Sequence, residues 1–153
     1  MSEPPRRRDE SIVSKPMMAQ IVTMGLWLTV LSFVFLKLPV FDTLFESMEQ
    51  KLSAYFVLFI WSALFNAFNV RSDQFDIFKD LKLNPGFMRV FLIIVLVQAF
   101  IVNAALIPVP VFAWISNMFS CVPFPPAGWA AAILLALTMI PVDLIRKAVV
   151  NRK

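Results

Sequence analysis

The chain predicts an all-α, polytopic membrane protein with a four-transmembrane-helix bundle, and three observations carry that prediction. Of its 153 residues, 59% are hydrophobic and only 16% are charged. No charged residue occurs between Lys15 and Lys37, between Lys51 and Arg71, or between Arg89 and Asp143, gaps of 21, 19 and 53 residues. A helix needs about 20 apolar residues to cross a bilayer, so the first two gaps are one crossing each. The third is too long for one crossing and is broken by Pro108, Pro110, Pro123, Pro125 and Pro126, so it divides into two crossings joined by an irregular loop.

In order, residues 1–17 form a basic lead, residues 18–150 a four-helix membrane domain, and residues 151–153 the tail end. The spans predicted are 18–36, 52–69, 87–107 and 129–142. Pro16 precedes the first, where proline starts a helix without losing a needed hydrogen bond. The loop 38–51 alternates Asp42, Glu46 and Glu49 with Phe41, Leu44, Phe45 and Met48, which predicts a short interfacial helix. Asn84-Pro85-Gly86 is a turn signal before the third span. The loop 108–128 is apolar and proline-rich and is expected to pack on the membrane surface. Pro141 lies inside the fourth span and predicts a kink. Asp143, Arg146 and Lys147 then share a face, and a solvated ion cluster at the headgroups is the expectation there. No internal repeat is visible.

Charge sets the expected orientation. Arg6, Arg7, Arg8 and Lys15 lie before the first span, Lys37 and Lys51 after it. Arg71, Lys79, Lys82 and Arg89 follow the second span, and Arg146, Lys147, Arg152 and Lys153 follow the fourth. Placing both termini in the cytoplasm puts 12 cations inside against 2 outside, the sense favoured by the positive-inside rule. The net charge of +4 is therefore a topology signal directed at lipid headgroups, and no nucleic-acid partner is expected. The first apolar run begins at Met17 and is of full spanning length, without a cleavage-site pattern, so no removable signal peptide is expected.

The same composition excludes most chemistry. The chain has one cysteine, Cys121, and no histidine, so neither an internal disulfide nor an imidazole site is available. No phosphate-binding loop, nucleophile elbow or metal-ligand cluster occurs, so no catalytic residue, cofactor or metal ligand is assigned. Apart from Arg89 at the edge of the third, the first three spans contain no Asp, Glu, Lys, Arg or His, which argues against a self-sufficient small transporter, because coupling needs a group that changes charge at membrane depth. What remains is neutral polar residues, read as helix-packing or partner contacts: Asn66, Asn69, Gln98 and Asn103. Asn66 and Asn69 are i, i+3 neighbours and so project side by side from one helix, followed closely by Arg71.

The segment Phe65-Asn66-Ala67-Phe68-Asn69-Val70-Arg71 resembles the end of the eighth membrane helix of calcium-transporting P-type ATPases. Other segments follow in matching order. Pro4-Pro5-Arg6-Arg7-Arg8 is similar to the loop joining the sixth and seventh helices of those pumps. Ile77-Phe78 with Asn84-Pro85-Gly86-Phe87 is similar to the turn before the ninth, and Gln98-Ala99-Phe100-Ile101-Val102 resembles the ninth itself in the plasma-membrane type. Phe119-Ser120, Pro123 and Trp129 resemble the approach to the tenth helix, and Ile140 to Lys147 its end. The resemblance covers essentially the whole chain and implies the last four of ten membrane helices.

That resemblance implies a static platform, not catalytic by itself, for ATP-driven cation transport, with calcium as the expected cation and the plasma membrane as the expected location. A complete pump would use ATP, Mg2+ and the transported cation, and the expected partner is its N-terminal catalytic and membrane part. Pro5, Arg6, Arg7 and Arg8 would lie near the phosphorylation domain and couple it to the membrane. In the two-site reticulum type a glutamate stands three residues before the first asparagine, where this chain has Ala63, so no metal ligand is carried over. The chain is thus expected to be a piece or split part of a pump. The alternative is an independent four-helix membrane protein that binds or regulates a membrane partner.

Overall fold

The computed structural model describes residues 15–71 and 85–150. Seven α-helices occur among the described residues, with no strand: α1 (Lys15–Lys37), α2 (Pro39–Asp42), α3 (Met48–Arg71), α4 (Pro85–Asn103), α5 (Pro110–Met118), α6 (Pro126–Leu137) and α7 (Met139–Val150). Four helical passages are long and apolar enough to cross a membrane, Met17–Lys37, Met48–Val70, Pro85–Leu106 and Pro126–Val150. Successive passages run in opposite directions. Lys15, Arg71, Pro85 and Val150 therefore share one end, called here the terminal end, and the connections 38–47 and 107–125 share the far end.

Proline sets several starts. Pro39, Pro110 and Pro126 each occupy the first turn of α2, α5 and α6, where their missing N–H has no intrahelical partner to lose. Pro85 opens α4 in the same way, so the Asn-Pro-Gly signal marks a helix start at its second residue. Along α1 and α4 large apolar side chains such as Leu26, Phe33, Leu92 and Leu96 face outward. In a bilayer that surface meets lipid tails, so its exposure carries no hydrophobic penalty.

The centre of the bundle is α3, which packs against α6, α1, α7 and α4. Its buried side includes Ala54, Val57, Leu58 and Phe65, facing Phe35 of α1 and Ala132 and Ala136 of α6. Small alanines on α6 let two backbones approach closely, the packing mode membranes favour where lipid is as apolar as any side chain. On the α4 side the contact is aromatic, with Phe68 at 4.9 Å from Phe87 and 5.0 Å from Phe91 between ring centroids.

The boundaries differ from the sequence reading at four places. The second span does not begin at residue 52: α3 starts at Met48 and takes in Lys51, while the helix expected over 38–51 is the single turn α2. The third span leaves α-geometry at Asn103 and closes in a 3-10 turn, Ala104–Leu106. The loop 108–128 contains α5, whose C-terminus is closed by Ser120 at φ 51, with Ser120 N donating to Asn117 O and Cys121 N to Ser116 O. The fourth passage is longer at both ends than 129–142 and is interrupted at Thr138, just before Pro141. Proline has no N–H to return to the carbonyl of Leu137, so the ladder breaks one turn ahead of it.

Candidate functional site

One cluster of polar groups among the described residues lies where the end of α3 packs against α7. Two chain elements are needed there because α3, like any helix, leaves its last carbonyls without donors. Asn69 O accepts from Lys147 Nζ at 3.1 Å, and Asn69 Nδ2 returns a bond to Met139 O at 2.8 Å. One residue of α3 is thus tied to α7 twice, once through its backbone and once through its side chain. Asn69 Nδ2 also lies 3.9 Å from Met24 Sδ on α1, so three helices meet at this amide.

Asp143 stands behind that clasp and is wholly buried. Its Oδ1 accepts from Arg146 Nε at 2.7 Å, and its Oδ2 lies 2.9 Å from Lys147 Nζ in an ion pair outside hydrogen-bonding angles. The helix spacing i, i+3, i+4 makes this possible, since all three side chains leave α7 on one face. The expectation of a solvated cluster at the headgroups is therefore corrected. The three side chains are turned into the bundle, because the acceptor Asn69 O lies there. A buried charge without a partner is costly, so each ion here holds the others in place.

One turn away the interruption of the fourth passage is itself fastened. Trp27 Nε1 of α1 donates to Thr138 Oγ1 at 2.9 Å, and Thr138 Oγ1 donates to Leu135 O at 2.6 Å. Hydrogen bonds from α1 and α3 thus reach the two residues at the break, Thr138 and Met139. A kink that would otherwise flex is fixed on two sides.

The comparison with known proteins agrees with this architecture. The family described as "Cation transporting ATPase, C-terminus" matches residues 1–149. The chain belongs to that family. No curated protein and no solved structure matches it. The clasp therefore lies in the C-terminal membrane region of a cation-transporting ATPase, a region of four apolar helices.

Within that region the residues singled out from sequence do not converge on one site. Asn69 is in the clasp. Asn66, one turn earlier on α3, has a buried Oδ1 without a hydrogen-bond partner, and so does Ser62 Oγ one turn before that. Gln98 Nε2 of α4 donates to Phe56 O of α3 at 3.2 Å, an interhelical bond, whereas its Oε1 is buried without a partner. Asn103 Nδ2 donates to Ala99 O of its own helix at 2.9 Å. Pro5, Arg6, Arg7 and Arg8 lie outside the described residues.

The sequence reading passed over several structural contacts. At the far end Lys51 Nζ pairs with Asp42 and donates to Leu36 O at 2.9 Å, capping the C-terminus of α1. Ser53 Oγ accepts from Val122 N at 2.9 Å, and Ser116 Oγ donates to Ile101 O at 2.7 Å. Single serines and lysines facing backbone carry no sequence motif, so spacing alone does not reveal them. Cys121 is buried, and desolvation pushes its thiol pKa up, so it stays protonated and weakly nucleophilic at neutral pH. Among the described residues no group of three or more His, Cys, Asp or Glu side chains gathers in the manner of a metal site. Asp143, the one buried carboxylate among them, is engaged by two cations.

Proposed function

We propose that this chain is the static, non-catalytic membrane platform of a calcium-transporting P-type pump of the plasma-membrane type. The observation that carries the reading is the double tie between Asn69 and α7, backed by the buried Asp143, Arg146 and Lys147. Ion-coupled elements need a charged group free to change partners. Here Asp143, the one buried carboxylate among the described residues, is locked to neighbours on its own helix, and the kink beside it is fastened by Trp27 and Asn69. Such a unit holds its shape while other helices move against it. Ala63 at the position of the reticulum-type glutamate favours a pump whose ligands lie in the N-terminal part.

By sequence order 12 Lys and Arg group with the two termini and the second connection, against 2 with the first connection, which supports cytoplasmic termini. In this reading Pro5, Arg6, Arg7 and Arg8 face the phosphorylation domain, while ATP, Mg2+ and the transported cation are handled by the N-terminal part.

Co-expression tests this directly. A plasma-membrane-type calcium pump truncated before its last four helices is produced with and without this chain, and ATP-dependent calcium uptake into membrane vesicles is measured. Restored uptake with the chain is expected. If both pieces accumulate and co-purify but uptake stays at background, the platform reading fails. If the chain accumulates alone and shows no affinity for the pump piece, an independent membrane protein that regulates another partner is the better reading.

A further inference from the structure

The helix α5 has a fixed outward face that neither the clasp nor the pump assignment uses. It follows the third passage, whose 22 residues from Pro85 to Leu106 extend about 33 Å at roughly 1.5 Å per residue. That is close to the roughly 30 Å of bilayer hydrocarbon, so α5 sits where the hydrocarbon ends. Its inner side is pinned. Ser116 Oγ donates to Ile101 O and accepts from Ala105 N at 3.1 Å, and Phe112 meets Phe100 of α4 edge-on at 5.6 Å. With Ser116 and Phe112 turned inward, the opposite side must face out. That side carries Val111, Trp114 and Met118, all exposed, with Trp114 59% exposed.

Three further observations select the occupant of this face. The surface continues into the lipid-facing side of α4 through exposed Leu106 and Ile107. No Asp, Glu, Lys or Arg occurs from residue 90 to residue 142, so nothing draws a charged partner or an anionic headgroup. Tryptophan is the residue best suited to the boundary between headgroups and acyl chains, where one edge of its ring is apolar and the other wet. We propose that α5 is an interfacial anchor, immersing Val111, Trp114 and Met118 in the far-end leaflet of a zwitterionic phospholipid bilayer. The anchor fixes the depth of the third passage and holds the loop 104–125 against the membrane. It rests on the four-span fold alone and is independent of the pump reading.

The test uses the full chain in phosphatidylcholine vesicles. In a Cys121→Ser background, single nitroxides are attached at Val111→Cys, Met118→Cys and Asn117→Cys. Asn117 is exposed and lies about 100° around the helix from Met118. Collisional broadening by oxygen is expected to exceed that by a water-soluble nickel chelate several-fold at positions 111 and 118, with the order reversed at 117. Equal nickel access at all three positions overturns the proposal by placing the face in water. Protection from both reagents overturns it by showing protein on the face, whether a second copy or another polypeptide. A lipid pattern that appears only when anionic lipid is added also overturns it. Should the Cys121→Ser chain fail to fold, quenching by brominated phosphatidylcholine is compared between the unaltered chain and Trp114→Phe. The quenched share of emission is expected to fall by more than the one-in-four share of Trp114 among the tryptophans, and no fall overturns the anchor.

Discussion

The two ends of the bundle solve one problem in different surroundings. At each end a buried lysine caps the terminal carbonyls of a neighbouring helix and pairs with an aspartate: Lys147 with Asn69 O and Asp143, Lys51 with Leu36 O and Asp42. Cations at helix C-termini satisfy orphan carbonyls and complement the dipole. The difference lies in the carboxylates. Asp143 is 0% exposed and shared with Arg146, while the side chain of Asp42 is 60% exposed. The terminal end is therefore an ionic lock whose parts depend on one another. At the far end, Phe35, Phe41, Phe45, Phe124 and Trp129 form a connected aromatic cluster, with Phe45 to Phe124 at 6.0 Å and Phe124 stacked on Trp129 at 5.1 Å.

The largest break in this comparison is Asp143→Ala. It strands Arg146 and Lys147 in a buried site, and losing one member of a buried pair costs about 3–5 kcal/mol. Unfolding of the chain in mixed detergent micelles, followed by circular dichroism, is expected to shift to much lower denaturant. Lys147→Met comes next, because Asp143 keeps Arg146 while Asn69 O loses its charged donor. The expected cost is about 1.5–3 kcal/mol, the range for hydrogen bonds to charged groups. If Lys147→Met proves as damaging as Asp143→Ala, the ions are not shared as described.

Gly128→Ala probes the far end through packing alone. A Cβ at Gly128 would stand 2.5 Å from Phe45 Cε1 and 2.9 Å from Phe124 Cδ2, so two rings must shift. Overpacking of this kind costs about 1–3 kcal/mol. Paired with Phe45→Leu, which removes the nearest ring, the glycine substitution is expected to recover most of that loss in the same assay. Failure to recover would place the strain at Phe124 instead.

Fold class and family were legible in this chain because each leaves a long-range trace. Uncharged gaps of spanning length mark the four passages, and segments such as Phe65 to Arg71 resemble the matched family. The clasp was legible only in part. Asn69 stood out as an amide in an apolar span, but its partners are Met139 O and Lys147 Nζ, and backbone carbonyls have no sequence signature. Asp143, Arg146 and Lys147 show the same i, i+3, i+4 spacing whether they turn outward to headgroups or inward to α3. That choice depends on where the end of α3 lies in space. Lys51 read as a loop cation because the uncharged gap begins after it, whereas α3 starts three residues earlier. The helix α5 was hidden by the prolines around it, which signal a loop as readily as a helix start.

Lys51→Met carries the smallest expected effect and isolates what burial of the carboxylate adds. Both lysines are themselves buried, and both cap a carbonyl, so the substitutions match in those respects. With Lys51 gone, however, Asp42 remains mostly in water and recovers its hydration, so no stranded charge is created. Its ion pair is worth at most about 1 kcal/mol for so exposed a partner. Leu36 is only partly buried where Asn69 is 1% exposed, so water can replace the lysine at its carbonyl and the lost cap adds a few tenths more, on the order of a dipole interaction. Added salt separates the two ends further. Screening reaches exposed pairs and largely spares buried ones, so the loss caused by Lys51→Met is expected to shrink at high ionic strength while that of Lys147→Met holds. Equal salt sensitivity at both lysines would show that water reaches Asp143 as it reaches Asp42, and the terminal end would then be no more a lock than the far end.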